Sequence, residues 1–200
     1  GKRLSRSLGR KHLLTEQQMA AARDSIANDM VRELLFADNE DLKSQQKSSD
    51  EKMAAMIKTA NSSSVYSIID IDPKMSAKQI FPLIINKYKG KTLLLDFWNT
   101  WCMPCRAAMS AIRPLKEQLT DVVYVYIADA SSPVGKWGEM IKTISGVHVR
   151  LTEDQADALS DLYHFSGIPT YFVVNKEGKI TYQTTSFPGV DKLREVLKSE

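Results

Sequence analysis

Cysteine is nearly absent from this chain of 200 residues, which holds only Cys102 and Cys105. With both in one short motif, none remains to staple distant loops, so a disulfide-framework fold is excluded. Long apolar runs are missing too. A membrane-spanning helix needs roughly 18–20 apolar residues, and the longest run here, Leu93 to Leu95 continued by Phe97 and Trp98, is strand-sized. Charge of one sign is also scarce: 27 basic and 24 acidic side chains leave +3, spread evenly over the two parts of the chain. No basic stripe crosses residues 61–200, which argues against a nucleic-acid partner. The first twelve residues do carry Lys2, Arg3, Arg6, Arg10 and Lys11 without an acid, and these read as a solvated tail. Histidine occurs only at positions 12, 148 and 164, with no second ligand pair to complete a four-ligand zinc site around the cysteines. No metal is expected.

What is present divides at Asn61-Ser62-Ser63-Ser64, a short polar linker. Residues 1–60 read as a helical segment and 61–200 as a separate α/β domain. Met19, Ala22, Ile26, Met30 and Leu34 recur at helical spacing over 15–36, with Thr15 and Gln18 as a capping box. A polar stretch from Asp38 to Asp50 follows, then a short helix with Met53, Met56 and Ile57. The apolar stripe packs on its own protein or offers a homodimer or partner surface over residues 15–36. The start at Gly1, with no export signal, reads as a fragment of a longer chain.

After the linker, strands and helices alternate. Extended stretches are expected at 65–71, 92–98 and 122–128. Helices are expected from Ser76 to about Gly90, from Cys102 with a break near Pro114, over 133–145, and from Thr152 to about Phe165. A short strand over 146–151 precedes that last helix. Tyr171 to Asn175 and Ile180 to Thr184 form a hairpin, and Asp191 opens a terminal helix. Helical crossovers imply parallel strands, and the hairpin adds an antiparallel edge. The fold class is a central mixed sheet flanked by helices.

The chemistry sits where a buried strand meets a helix. In Leu93-Leu94-Leu95-Asp96-Phe97-Trp98-Asn99-Thr100-Trp101-Cys102-Met103-Pro104-Cys105-Arg106, the cysteines open the helix. Peptide dipoles and unpaired N–H groups at a helix start favour a thiolate, the form that attacks disulfides. Asp96 interrupts an apolar strand, where desolvation raises a carboxyl's proton affinity and suits it to accept a proton from a thiol. Trp98 and Trp101 flank the motif, either as core or as an apolar rim that meets substrate. Gly167-Ile168-Pro169-Thr170 precedes a strand, where Pro169 cannot donate a ladder hydrogen bond.

Asp96-Phe97-Trp98-x-x-Trp101-Cys102-x-Pro104-Cys105, with Pro169 in Gly-Ile-Pro-Thr, resembles the thioredoxin superfamily. The long stretch from Val122 to Pro169 resembles the central insertion of its extracytoplasmic TlpA/ResA-type thiol–disulfide oxidoreductases. The resemblance covers about residues 65–200 and implies a thioredoxin-like fold. It also implies the site roles: Cys102 attacks substrate, Cys105 resolves the mixed disulfide, and Asp96 accepts the proton of Cys105. A cis Pro169 would hold Ile168 against an extended substrate. Trp98, Trp101, Pro104, Ile168, Pro169 and Thr170 would face that substrate. No cofactor is implied beyond the Cys102–Cys105 redox disulfide. Protein thiols or disulfides are the implied substrates, an upstream thiol the electron donor, and the bacterial periplasm or a membrane tether the location. The favoured activity is reduction of protein disulfides. The alternatives are an oxidase or isomerase, or a binding module working through residues 1–60. Met103 between the cysteines, Ala108, Ser110 and the lack of a lysine from Val122 to Asp129 depart from the family pattern. Without that lysine, Asp96 is expected to be less biased toward its charged form.

Overall fold

The computed structural model describes residues 13–200, so the basic stretch Lys2–Lys11 and His12 lie outside it. The chain forms two compact units, residues 1–54 and 55–200. In the first, helix α1 (Glu16–Ser25) starts at Thr15, whose hydroxyl accepts from Gln18 N while Gln18 returns the bond to Thr15 N. Ile26 then turns extended, and Asn28 restarts the chain by capping Val31 N at 3.2 Å. Helix α2 runs without interruption over Asp29–Asn61. The expected polar break at 38–50 is therefore helix. Its Glu, Lys, Gln and Ser side chains tolerate a solvated helix, and it holds neither glycine nor proline. Asn39 is buried there and accepts from Leu14 N at 2.8 Å.

The second unit is a six-stranded sheet between helices. Its elements are β1 (Tyr66–Ile69), α3 (Ala77–Lys87), β2 (Thr92–Phe97), α4 (Met103–Gln118), β3 (Val122–Asp129) and α5 (Val134–Ile141). β4 (Gly146–Leu151), α6 (Glu153–Leu162), β5 (Thr170–Val174), β6 (Ile180–Thr185) and α7 (Val190–Lys198) complete it. Strand order is β1-β4-β3-β2-β5-β6. The first four strands pair parallel, and β5 and β6 join antiparallel. The expected mixed sheet is thus observed. Helix α4 does not break at Pro114, and α5 and α6 are shorter than expected.

Central strand β2 is buried on both sides. Leu93, Leu95 and Phe97 point into an apolar core closed by Ile80, Phe81 and Ile84 of α3 and Leu159 of α6. Residues 94, 96 and 98 point the other way, toward α4, because strand side chains alternate. Gly146 opens β4 at φ +133°, and a Cβ there would lie 2.7 Å from the Tyr124 carbonyl, so only glycine fits.

Candidate functional site

Strand β2 ends by pairing Trp98 N to Ile127 O at 2.9 Å, and Asn99 to Trp101 carry the chain across the sheet edge. Cys102 then caps α4 with extended backbone, its N–H bonded to Asn99 O at 2.9 Å. The Cys105 N–H points at Cys102 Sγ at 3.2 Å. That donor is one of the free amides of the helix start, and no acid stands in the first turn to oppose an anion at this sulfur. The two cysteines are joined as a disulfide with Cα atoms 5.4 Å apart. Cys105 is wholly buried and Cys102 keeps only 4% of its surface. Exposure is concentrated on the flanking Trp101 (56%) and Met103 (76%).

The Ile168–Pro169 peptide is cis. Pro104 is exposed, Ile168 half-buried and Pro169 buried. Trp98 and Thr170, which the resemblance implies would face substrate, are fully buried. Alternation along β2 turns Trp98 inward, while Thr170 Oγ1 is tied to Gly167 O at 2.7 Å and to Thr185 at 3.1 Å.

Asp96 is also fully buried, and neither carboxylate oxygen has a hydrogen-bond partner among the described residues. Burial pushes its proton affinity well above the usual carboxylate range, and the charge of Lys116 pulls part of the way back. No lysine stands in β3, as the sequence reads, and the cation whose charge bears on Asp96 is Lys116 of α4. Lys116 Nζ donates to Tyr126 OH at 3.1 Å and to Ser145 O, and lies 5.1 Å from both the Tyr124 and Tyr126 ring centres. Burial, with the neighbouring Arg113 charge, pushes Lys116 down to about 8. Among the described residues no three His, Cys, Asp or Glu side chains gather as a metal site, and no helix is long and apolar enough to cross a membrane.

A family profile described as thioredoxin-like matches residues 90–180. Thiol–disulfide oxidoreductase ResA of Geobacillus kaustophilus is 28% identical over 100 residues, covering 48% of this chain and 55% of that protein. ResA of Bacillus subtilis is 29% identical over 105 residues, covering 50% and 56%. The crystal structure of a thioredoxin-family thiol:disulfide interchange protein from Chlorobium tepidum superposes with a TM-score of 0.51 at 21% identity, covering 57% of this chain and 83% of that one. The chain is similar to the TlpA/ResA-like thiol–disulfide oxidoreductases over part of its length and has a thioredoxin-like fold. It spans about half the length of the ResA proteins it matches.

Within this thioredoxin-like frame, the structure adds residues that the sequence reading passed over. Asn99, between the two tryptophans, is buried and donates from Nδ2 to Asp129 Oδ2 at 3.0 Å. Its Oδ1 accepts from Asp129 N at 3.1 Å and from Ser132 Oγ at 2.8 Å. Ser132 Oγ accepts from Thr100 N at 3.0 Å, and Trp101 Nε1 donates to Ser131 Oγ at 3.0 Å. The loop after β3 thereby clamps the loop before the cysteines, and Arg150 of β4 holds it from below through Ser132 O at 2.9 Å. The only sequence signal was a run of small polar residues, 131–132, after a buried strand. At the family's departures, Ser110 turns its hydroxyl back to Arg106 O at 3.2 Å within an unbroken helix, and Ala108 is buried.

Proposed function

We propose that this domain reduces protein disulfides through Cys102 and Cys105, cycling between dithiol and disulfide. What carries the reading is the Cys105 N–H aimed at Cys102 Sγ across the start of α4, with Asp96 buried on the sheet face that α4 covers. The helix start lowers the proton affinity of Cys102, whose thiolate attacks one sulfur of a substrate disulfide. An S–S bond forms to Cys102, and the other substrate sulfur leaves as thiolate and takes a proton. Cys105 then gives its proton to the Asp96 carboxylate and attacks Cys102 Sγ. The Cys102–Cys105 bond forms, the Cys102–substrate bond breaks, and the second substrate sulfur leaves. The substrate gains two electrons and the protein loses two, to be restored by an upstream thiol donor.

Trp101, Met103 and Pro104 form the exposed rim around Cys102, and Ile168 presents its backbone to an extended substrate segment. Trp98, Pro169 and Thr170 support that rim from inside. The TlpA/ResA resemblance supports a location outside the cytoplasm. In the N-terminal unit, the exposed Met30, Val31 and Leu34 of α2 support a second copy or partner as the contact of residues 15–36.

Reduced protein incubated with a disulfide-bonded protein tests this reading. Wild type should reduce it, Cys102→Ser should not, and Cys105→Ser should stall as a mixed disulfide at Cys102. Reduction by Cys102→Ser at the wild-type rate would overturn the mechanism. A potential near about −120 mV, rather than toward roughly −270 mV, would make the domain an oxidase.

A further inference from the structure

Three cations converge along one flank of α4 with no acid among them. Arg106, Arg113 and Lys116 line an open cleft of about 520 Å³ between α4 and the residues that end α5 and lead into β4. Standing seven and three positions apart, they form no basic run in the sequence, but the helical period of 3.6 gathers them on one flank. Cations exposed on other helices of this unit are answered by an acid one turn away, as in Lys142–Glu139, Lys192–Glu195 and Arg194–Asp191. Arg106 and Arg113 have no ion pair among the described residues. Glu117, the one acid of α4, stands outside the cleft lining. Lys116 is half-buried and donates to Tyr126 OH at 3.1 Å and to Ser145 O, which holds its ammonium in the cleft with one N–H left over. Like charges one turn apart on a helix repel, so Arg113 and Lys116 together favour an anion lying against both. The apolar part of the wall is Met109, Met140 and Ile144.

The cleft begins one turn from the redox site, since the Arg106 N–H donates to Cys102 O at 3.2 Å. By helix rise it runs on the order of 15 Å along α4 from Arg106 to Lys116, the length of about four or five extended residues. Resting on the dithiol mechanism above, we propose that this cleft docks an acidic segment of the substrate protein, held along α4 while the substrate disulfide meets Cys102. Carboxylates pair with the two guanidinium forks and the remaining Lys116 N–H, and an apolar side chain of the segment packs on Met109, Met140 and Ile144. Complementary charge of this kind raises the encounter rate and fixes register more than it deepens affinity. The substrate class is therefore disulfide proteins with acids a few residues from a cysteine: about two extended residues reach Arg106 and about six reach Lys116. The rim at Trp101, Met103 and Ile168 meets the residues beside the disulfide, and α4 reads charge farther along the substrate chain.

The test uses reduced protein and peptides whose single cysteine is joined by a disulfide to an aryl thiol. Cys102 attacks the peptide sulfur and releases the aryl thiolate, the better leaving group. Cys105 then attacks Cys102 and releases the peptide thiolate as the second. One peptide carries glutamates on each side of its cysteine beginning two residues away. Another has glutamines at those positions, and a third has the glutamates moved ten residues away. At low salt and below saturation, first release should be about tenfold faster for the near-glutamate peptide than for the glutamine one, and the distant-glutamate peptide should fall close to the latter. Arg106→Gln with Arg113→Gln should cut that tenfold ratio to about threefold or less. Lys176→Gln with Lys179→Gln, which removes two exposed cations from the β5–β6 turn, should leave the ratio at its wild-type value. A ratio cancels any change in the reactivity of Cys102 itself. Equal rates for the near-glutamate and glutamine peptides, equal rates for near and distant glutamates, or a ratio unmoved by the double arginine variant overturns the docking proposal and leaves the dithiol mechanism standing. An equal fall in the double lysine variant overturns it too. Failure of wild type to release either thiolate overturns the mechanism itself.

Discussion

The two faces of the sheet are built from the same strands to opposite specifications. Against α3 and α6, β2 presents Leu93, Leu95 and Phe97, and the layer is hydrocarbon and aromatic throughout. Phe81 lies between a stacked Tyr163 at 4.3 Å and an edge-on Phe172 at 5.4 Å, contacts held by dispersion. Against α4, α5 and α7, the same strand presents Leu94, Asp96 and Trp98. There the Asp96 carboxylate, Tyr171 OH, His148 Nδ1 and Trp98 Nε1 are buried with no hydrogen-bond partner among the described residues. Buried polar groups without partners cost stability. One face therefore stabilises the fold, and the other gives up part of that stability to buried polar groups beneath the cysteines. A period of two along β2 is enough to separate the tasks.

The sharpest way to break this contrast is to damage the apolar face and look for a chemical effect. Phe172→Ala should lower unfolding free energy by about 3–5 kcal/mol, measured by denaturant titration. The pH midpoint of second-thiolate release should stay where it is in wild type. A shifted midpoint would show that the faces are coupled and the division is false.

His148 sharpens the contrast from the polar side. Burial holds its proton affinity at about 4 against an ordinary 6.5, opposed by its bond to Ile144 O and reinforced by Lys116. A folded value below the unfolded one means that the unfolded chain takes up the proton first. Stability is therefore complete above pH 6.5 and lost as pH falls toward 4, by up to about 3 kcal/mol. Asp96 runs the other way, because its raised folded value stabilises the fold as pH falls. His148→Phe should remove the acid loss and leave the opposing trend of Asp96 exposed. Denaturation midpoints at pH 7, 5.5 and 4.5 read this directly. An unaltered acid loss in the variant would place its origin elsewhere.

Much of this was legible in the sequence where local chemistry sets structure. The capping boxes at Thr15 and Thr152, the strand of Leu93 to Phe97 and the helix starting at Cys102 follow from residue type and spacing. Asp96 was conspicuous because a carboxyl rarely stands in an apolar strand. Features that depend on long-range register were not legible. Lys116 lies 20 positions beyond Asp96, on a helix whose rotation over the sheet no local pattern fixes, so its influence on Asp96 had no local signal. Asn99 looked like an ordinary loop residue, because its partners Asp129 and Ser132 come from the far end of β3. The continuity of α2 was missed for a different reason: its polar stretch over 38–50 has no apolar period to read.

The central claim is that the polar face exists for proton transfer at Cys105, and Asp96→Asn tests it most directly. Second-thiolate release and denaturant stability are measured on the same sample between pH 4 and 8. The account predicts release slowed on the order of 10²-fold, together with stability raised by on the order of 1–3 kcal/mol toward pH 8, where the buried carboxylate is most costly. Release at the wild-type rate with the wild-type pH dependence would contradict it.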